Sequence, residues 1–145
     1  MKAPNSLEDN LLFQISEVAK LLHKRLTMAF EEGGFDVTPE QFSILALLWY
    51  KEGINQQDIA NELRRDKTTI ARIINNMINR NLIVKIPDQL DKRNNLIYLT
   101  KKGKELQTEM VATSGKVYVQ TMQRLPAKDV AVSLSVLKQI TKNFE

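Results

Sequence analysis

The sequence predicts a mainly α-helical fold with one small β-hairpin wing, and three observations carry that prediction. Apolar residues recur at steps of three and four over most of the 145 residues. Residues suited to capping helix starts stand at Ser6, Thr38, Asn55, Asp66 and Thr100. Two compact β-branched stretches, Leu82–Ile86 and Asn95–Leu99, interrupt the helical pattern and flank a polar, turn-rich segment.

The first helix is expected over Leu7–Glu32, where Leu11, Ile15, Val18, Leu22, Leu26 and Ala29 line one face. Ser6 is its cap, Glu8 and Asp9 lie in its first turn, and Gly33-Gly34 ends it. At 1.5 Å per residue it spans roughly 39 Å, too long to bury its stripe on a small globule, so a partner chain is its natural cover. Thr38-Pro39-Glu40-Gln41 starts the second helix with a capping Thr, a Pro at the first position and Gln three after the cap. Phe42, Leu45, Leu48 and Trp49 are its buried stripe. Asn55 caps a short helix, Gln56–Leu63, with Ile59, Ala60 and Leu63 facing the core.

After Arg64-Arg65, Asp66 caps a longer helix, Lys67–Arg80, closed by Asn81, which tolerates the left-handed conformation. The two-stranded hairpin follows, with Pro87–Asn94 as its charged tip, and must lean on the helices to be stable. Thr100 caps a second long helix, Lys101–Arg124, broken by Leu125-Pro126, and a last helix covers Ala127–Phe144. The expected organisation is a dimerisation helix over 1–36, a compact lobe over 37–100, and dimerisation helices over 101–145.

Composition narrows the function. A 43% hydrophobic content supports a packed core, and no apolar run approaches the roughly 18 residues of a membrane span, so no membrane partner is expected. Met1–Ser6 leads into a patterned helix rather than a secretion signal, and the protein is expected to be cytoplasmic. The absence of Cys removes disulfides, thiolate metal sites and thiol switches together. His23 is the only histidine, so no metal site is expected within one chain, and it reads as a surface or dimer-contact residue. The net charge of +4 and pI near 9.3 mildly favour a polyanionic partner.

Placement of the charge says more. On Lys67–Arg80 the side chains of Ile70, Ile73, Ile74, Met77 and Ile78 point inward. Lys67, Thr68, Thr69, Arg72, Asn75, Asn76 and Asn79 are left outward, with no carboxylate among them. A solvated helix face usually mixes Glu with Lys; this one offers groups that pair with guanine, adenine, thymine methyl and phosphate. Helix, short helix, three-residue turn, longer helix and hairpin is also the order that recognition of double-stranded DNA requires. At the hairpin tip Asp91 and Arg93 share a side of an extended segment. Spacing alone leaves two readings open: Asp91 orients Arg93 for the minor groove, or the two form an incidental charge pair on a solvated turn.

These residues resemble the MarR family (multiple antibiotic resistance regulators). The matching text is Thr38-Pro39-Glu40-Gln41-Phe42, Gly53–Ala60, Asp66–Arg72, Asp91-Lys92-Arg93 and Leu99–Gly103, five short pieces in order. The resemblance implies a winged helix-turn-helix flanked by N- and C-terminal dimerisation helices, acting as a homodimeric transcriptional regulator. It implies Thr68, Thr69 and Arg72 as major-groove readers, with Asn76 on the same outward face. It also implies Arg65 and Lys67 near the backbone, and Arg93 in the minor groove supported by Asp91. Asn81 stands where the family commonly has Gly, and Arg64-Arg65 is a more basic turn than many members carry.

The resemblance further implies a small aromatic or anionic effector near the junction of lobe and dimer helices, with Phe35 and Trp49 as candidate contacts. Phe42 and Trp49, seven apart on one helix face, read more readily as core. The function expected is a repressor that binds an inverted-repeat operator and is released by such a ligand, without a cofactor. An enzyme is not expected, because no nucleophile–base motif, phosphate-cradling Gly loop or metal site is present. The other reading is a winged helix used only for protein contact, which calls for exposed aromatic or aliphatic residues where this helix offers Thr, Arg and Asn.

Overall fold

The computed structural model describes all 145 residues. Helix α1 (Leu11–Glu32) begins four residues later than the periodicity predicts. Asn10 caps it, its Oδ1 accepting from the Phe13 N–H at 3.1 Å. The Ser6 hydroxyl is engaged in a local turn with Asp9, accepting its N–H at 3.2 Å and donating to its carboxylate at 2.8 Å. Glu8 and Asp9 therefore precede the helix. Two residues four positions apart compete to cap one stripe, and Asn is at least as good a cap as Ser.

Helix α2 (Pro39–Tyr50) carries the full capping box: Thr38 Oγ1 accepts from Gln41 N–H and Gln41 Oε1 from Thr38 N–H, both at 3.1 Å. Gly53, at φ 77°, turns the chain into β1 (Ile54–Asn55). Helices α3 (Gln56–Leu63) and α4 (Lys67–Asn79) follow, then β2 (Ile83–Pro87) and β3 (Asn95–Leu99).

The sheet has three strands rather than the two expected, in the order β1-β3-β2, all antiparallel. The two residues of β1 are too short to show an alternating pattern. The free edge of β3 recruits them: Ile54 pairs with Ile97, Asn55 with Leu96, and Gly53 N–H donates to Ile97 C=O at 2.8 Å.

The helix expected over Lys101–Arg124 is likewise two pieces, α5 (Lys101–Glu105) and α6 (Gln107–Thr121), which meet at Leu106 in a still right-handed conformation. It stops short of Arg124, which takes a left-handed φ of 63° before Leu125-Pro126. Helix α7 (Ala127–Lys142) closes the chain.

Sixteen buried residues form one core that starts at Phe30 in α1, passes through α2, α3, α4 and the sheet, and ends at Met110 in α6. Phe42 bridges Phe30 and Trp49, with ring centroids 5.1 and 5.8 Å away. The N-terminal part of α1 and all of α7 stay outside it. Leu11, Val18, Leu21 and Leu22 on α1 are 40–64% exposed, Val132, Leu134, Val136 and Leu137 on α7 are 40–57% exposed, and α7 has no buried residue. Between them runs an open apolar groove lined by Leu11, Ile15, Val18, Val132, Val136 and Leu137. No helix is long and apolar enough to cross a membrane.

The start of α5 is packed against the end of α4. The Thr100 hydroxyl accepts from Gly103 N–H at 3.1 Å and lies 2.7 Å from the Asn81 carbonyl. A Cβ on Gly103 would run into the Leu82 carbonyl oxygen, a backbone atom that cannot swing aside. Gly103→Ala is expected to cost about 1–3 kcal/mol, read as a lowered urea midpoint; an unchanged midpoint shows that this contact yields.

Candidate nucleic-acid interface

Helix α4 is held by its inner face. Ile70, Ile73, Ile74 and Met77 are at most 4% exposed, and their spacing fixes which residues are left outside. Lys67, Thr68, Arg72, Asn75, Asn76 and Asn79 are exposed, and none is acidic. Before them comes a tight basic turn in which Arg64 is left-handed (φ 53°) and Arg65 N–H donates to Ala60 C=O at 3.0 Å. Arg65 is exposed beside the start of α4.

Asp66 anchors that start. Its Oδ1 accepts the Thr69 N–H at 2.7 Å, and its Oδ2 accepts the Thr69 hydroxyl at 2.9 Å. The backbone bond from Thr69, then its hydroxyl, hold the Asp66 carboxyl below its ordinary value of 3.8. Thr69 is consequently half-buried with its hydroxyl proton committed, which leaves a lone pair and a methyl group to face a ligand.

Arg72 leans toward the start of α2, its Nη2 3.9 Å from Glu40 Oε2, an exposed and weak pair. With Asn76 and Arg80, at successive steps of four, it lines a cleft of about 380 Å³ whose other wall includes His23 and Thr27 of α1 and Thr38, the cap of α2. Arg80 also donates to the carbonyl and carboxylate of Asp36, both at 3.0 Å. Thr27 and Arg80 are not among the site residues the sequence offers, while His23 is exposed, as expected of a surface residue, and lines this cleft. The i, i+4, i+8 row of Arg72, Asn76 and Arg80 was a legible signal. The wall across from it needed the fold.

Phe35 and Trp49 do not line this cleft. Phe35 packs over Gly33, and the Trp49 indole N–H donates to Gly103 C=O at 2.9 Å against the core. Nor do any three His, Asp or Glu side chains come together as a metal site.

The wing ends in an ordered loop. Asp88 N–H donates to Asn94 C=O at 2.8 Å and Asn94 N–H to Asp91 C=O at 2.9 Å. Asp91 Oδ1 accepts from the Arg93 backbone N–H at 3.1 Å and from its guanidinium Nε at 3.4 Å. The Arg93 side chain is 95% exposed, so this pair adds little stability; what it gives is a direction. The two residues placed together by spacing are together in the fold.

The MarR family model matches residues 37–94. The transcriptional activatory protein BadR of Rhodopseudomonas palustris is 25% identical over 147 residues, covering 99% of this chain and 83% of that protein. The crystal structure of the transcriptional regulator SlyA superposes with a TM-score of 0.83 at 26% identity, over 92% of this chain and 93% of that one. CouR, a transcriptional repressor, has been solved on a 23-mer DNA duplex. It gives a TM-score of 0.83 at 22% identity, over 97% of this chain and 98% of that one. CouR from Rhodococcus jostii RHA1, solved with p-coumaroyl-CoA, gives 0.79 at 23%, over 94% and 95%. At that identity the CouR likeness carries the fold.

The Asp66 cap makes a pH prediction. Its folded-state pKa is the lower one, so its stabilisation is complete above the unfolded value and is lost as the pH falls through the folded value. Asp66→Ala is expected to lower the urea midpoint at about pH 6, and the gap to wild type to close as the pH drops below 3.8. A gap independent of pH removes the charged cap from this account.

Proposed function

We infer that this chain is a DNA-binding transcriptional regulator of the MarR family, a cytoplasmic homodimeric repressor that reads an inverted-repeat operator. The observation that carries this reading is the carboxylate-free outer face of α4, set between a basic turn and a wing whose Arg93 is braced by Asp91. A helix of this kind fits the major groove, and an exposed wing arginine suits the minor groove.

The labour divides as the sequence reading has it. Residues 37–100 hold the DNA contacts, and 1–36 and 101–145 hold the dimer. Arg65 and Lys67 contact phosphates. Thr68, Thr69, Arg72 and Asn76 face base edges, Thr69 through its methyl or lone pair, and Arg93 enters the minor groove. The uncovered apolar stripes of α1 and α7 support dimerisation, since about 25 cal/mol per Å² is gained by removing such surface from water. In a dimer the two α4 helices lie about 34–36 Å apart on one side of the duplex.

The effector, a small aromatic or anionic ligand, is assigned to the cleft between α1 and α4 rather than to Phe35 and Trp49. That cleft joins the dimer helix to Arg72 and Asn76, so a ligand there changes the half-site match directly. A winged helix limited to protein contact is disfavoured, because α4 exposes no large apolar side chain.

Selection of bound duplexes from a random library by the purified protein, with its mass measured in parallel, is expected to yield an inverted repeat bound by a dimer. No enriched sequence at low salt overturns the reading. Thr68→Ala and Arg72→Ala are expected to lose about 1–3 kcal/mol on the selected operator and to relax the preference at single positions; an unchanged preference removes them as readers. Val136→Asp is expected to give a monomer that no longer binds the full operator, and a persistent dimer places the contact elsewhere.

A further inference from the structure

Within residues 37–100 four large apolar side chains are exposed: Tyr50, Val84, Ile86 and Leu90. Val84 and Ile86 stand opposite Tyr98 and Leu96 across the hairpin and are half-covered at 39% and 45% exposure. Tyr50 borders a groove with Leu47 and Ile54. Tyr50 is 89% exposed at the end of α2, and Leu90, at the tip of the wing beside Arg93, is 97% exposed.

A lone exposed leucine is ordinary on a protein surface. The backbone that carries this one is not. Leu90 N–H donates to Asp88 Oδ1 at 3.0 Å, an Asx turn that repeats three residues later between Arg93 and Asp91. With the Asp88–Asn94 and Asn94–Asp91 backbone bonds, these ties close the loop on itself. Leu90 and Arg93 thus project from one fixed frame. Asp88 and Asp91 balance the charges of Lys92 and Arg93 within the tip, and the Arg93 side chain, 95% exposed, is the cation free to reach a polyanion. The same loop exposes an apolar side chain, Leu90, which a phosphate contact alone does not require.

We propose that Leu90 is a minor-groove contact of the wing, packing against deoxyribose and base-edge carbon atoms beside the Arg93 guanidinium; this rests on the DNA-binding reading above. Leucine has no donor or acceptor, so it reads no hydrogen-bond pattern, and the minor groove offers little of one. It reads shape. Seating a branched side chain widens the groove or wedges a base step, which is cheap at flexible pyrimidine–purine steps and costly in stiff A-tracts. Leu90 therefore makes operator choice depend on the sequence beneath the wing, at positions with no base hydrogen bond.

The test compares full-length wild type, Leu90→Ala and Arg93→Ala on the selected operator with a TA step or an A-tract beneath the wing, across a salt series. A residue this exposed leaves the melting temperature unchanged when truncated, which checks folding. Leu90→Ala is expected to lose about three- to tenfold in affinity on the TA flank and less on the A-tract. Its salt slope is expected to stay unchanged, because no phosphate is released. Arg93→Ala is expected to lower the slope by about one.

Leu90→Ala binding like wild type on both flanks overturns the proposal, while a loss in Arg93→Ala keeps the wing on the DNA. Both variants binding like wild type takes the wing off the DNA, and the underlying reading fails with it. An equal loss on both flanks also overturns the proposal, since the contact then ignores groove shape. So does unchanged DNA binding with lost repression in reconstituted transcription, which assigns Leu90 to a protein partner.

Discussion

Burial of Ile70, Ile73, Ile74 and Met77 is the constraint on which the rest of the molecule depends. These four side chains fill the middle of the core, and each holds α4 against rotation about its axis, because interiors are close-packed and tolerate no half-turn. With that rotation fixed, the polar residues between them have one place to go. The outer face of α4 is a consequence of its inner face, and the Asp66 cap fixes where the face begins.

The wing is positioned by a second set of contacts that tie it to the same core. Glu52 Oε2 accepts the Leu99 N–H at 2.9 Å, β1 pairs with β3, and Trp49 reaches Gly103 just beyond the sheet. Ile83, Ile97 and Leu99 bury the inner side of the hairpin. An isolated hairpin of this size is marginal in water; here each strand is held by a helix contact or a neighbouring strand. The base of the wing and α4 thereby pack on one core, and the tip that carries Leu90 and Arg93 extends from that base.

Helix α1 belongs to two environments at once. Its C-terminal Ala29 and Phe30 are buried in the lobe, while Leu11, Val18 and Leu22 form part of the uncovered apolar surface. One continuous helix of 22 residues thus links the two environments. The cleft lined by His23, Thr27, Arg72 and Asn76 sits where the two meet. A ligand seated there acts on lobe orientation only through a difference in its contacts between two arrangements of the dimer.

Much of this was legible in the sequence because it rests on local chemistry. The Thr38–Gln41 capping box, the Asn55, Asp66 and Thr100 caps, the isoleucine stripe of α4 and the Asp91–Arg93 pair each arise from residues within a few positions of one another, where backbone geometry leaves few alternatives. What only the tertiary structure decided involves partners far apart in the chain. The third strand exists because β3 has a free edge, and two residues cannot announce that by themselves. Trp49 is committed to Gly103, and Phe35 packs against the core cluster rather than in the cleft. The cleft joins α1 to α4 across more than forty positions. Side-chain periodicity tells which face of an element is buried, whereas which faces meet, and what space they leave, is fixed only when the whole core closes.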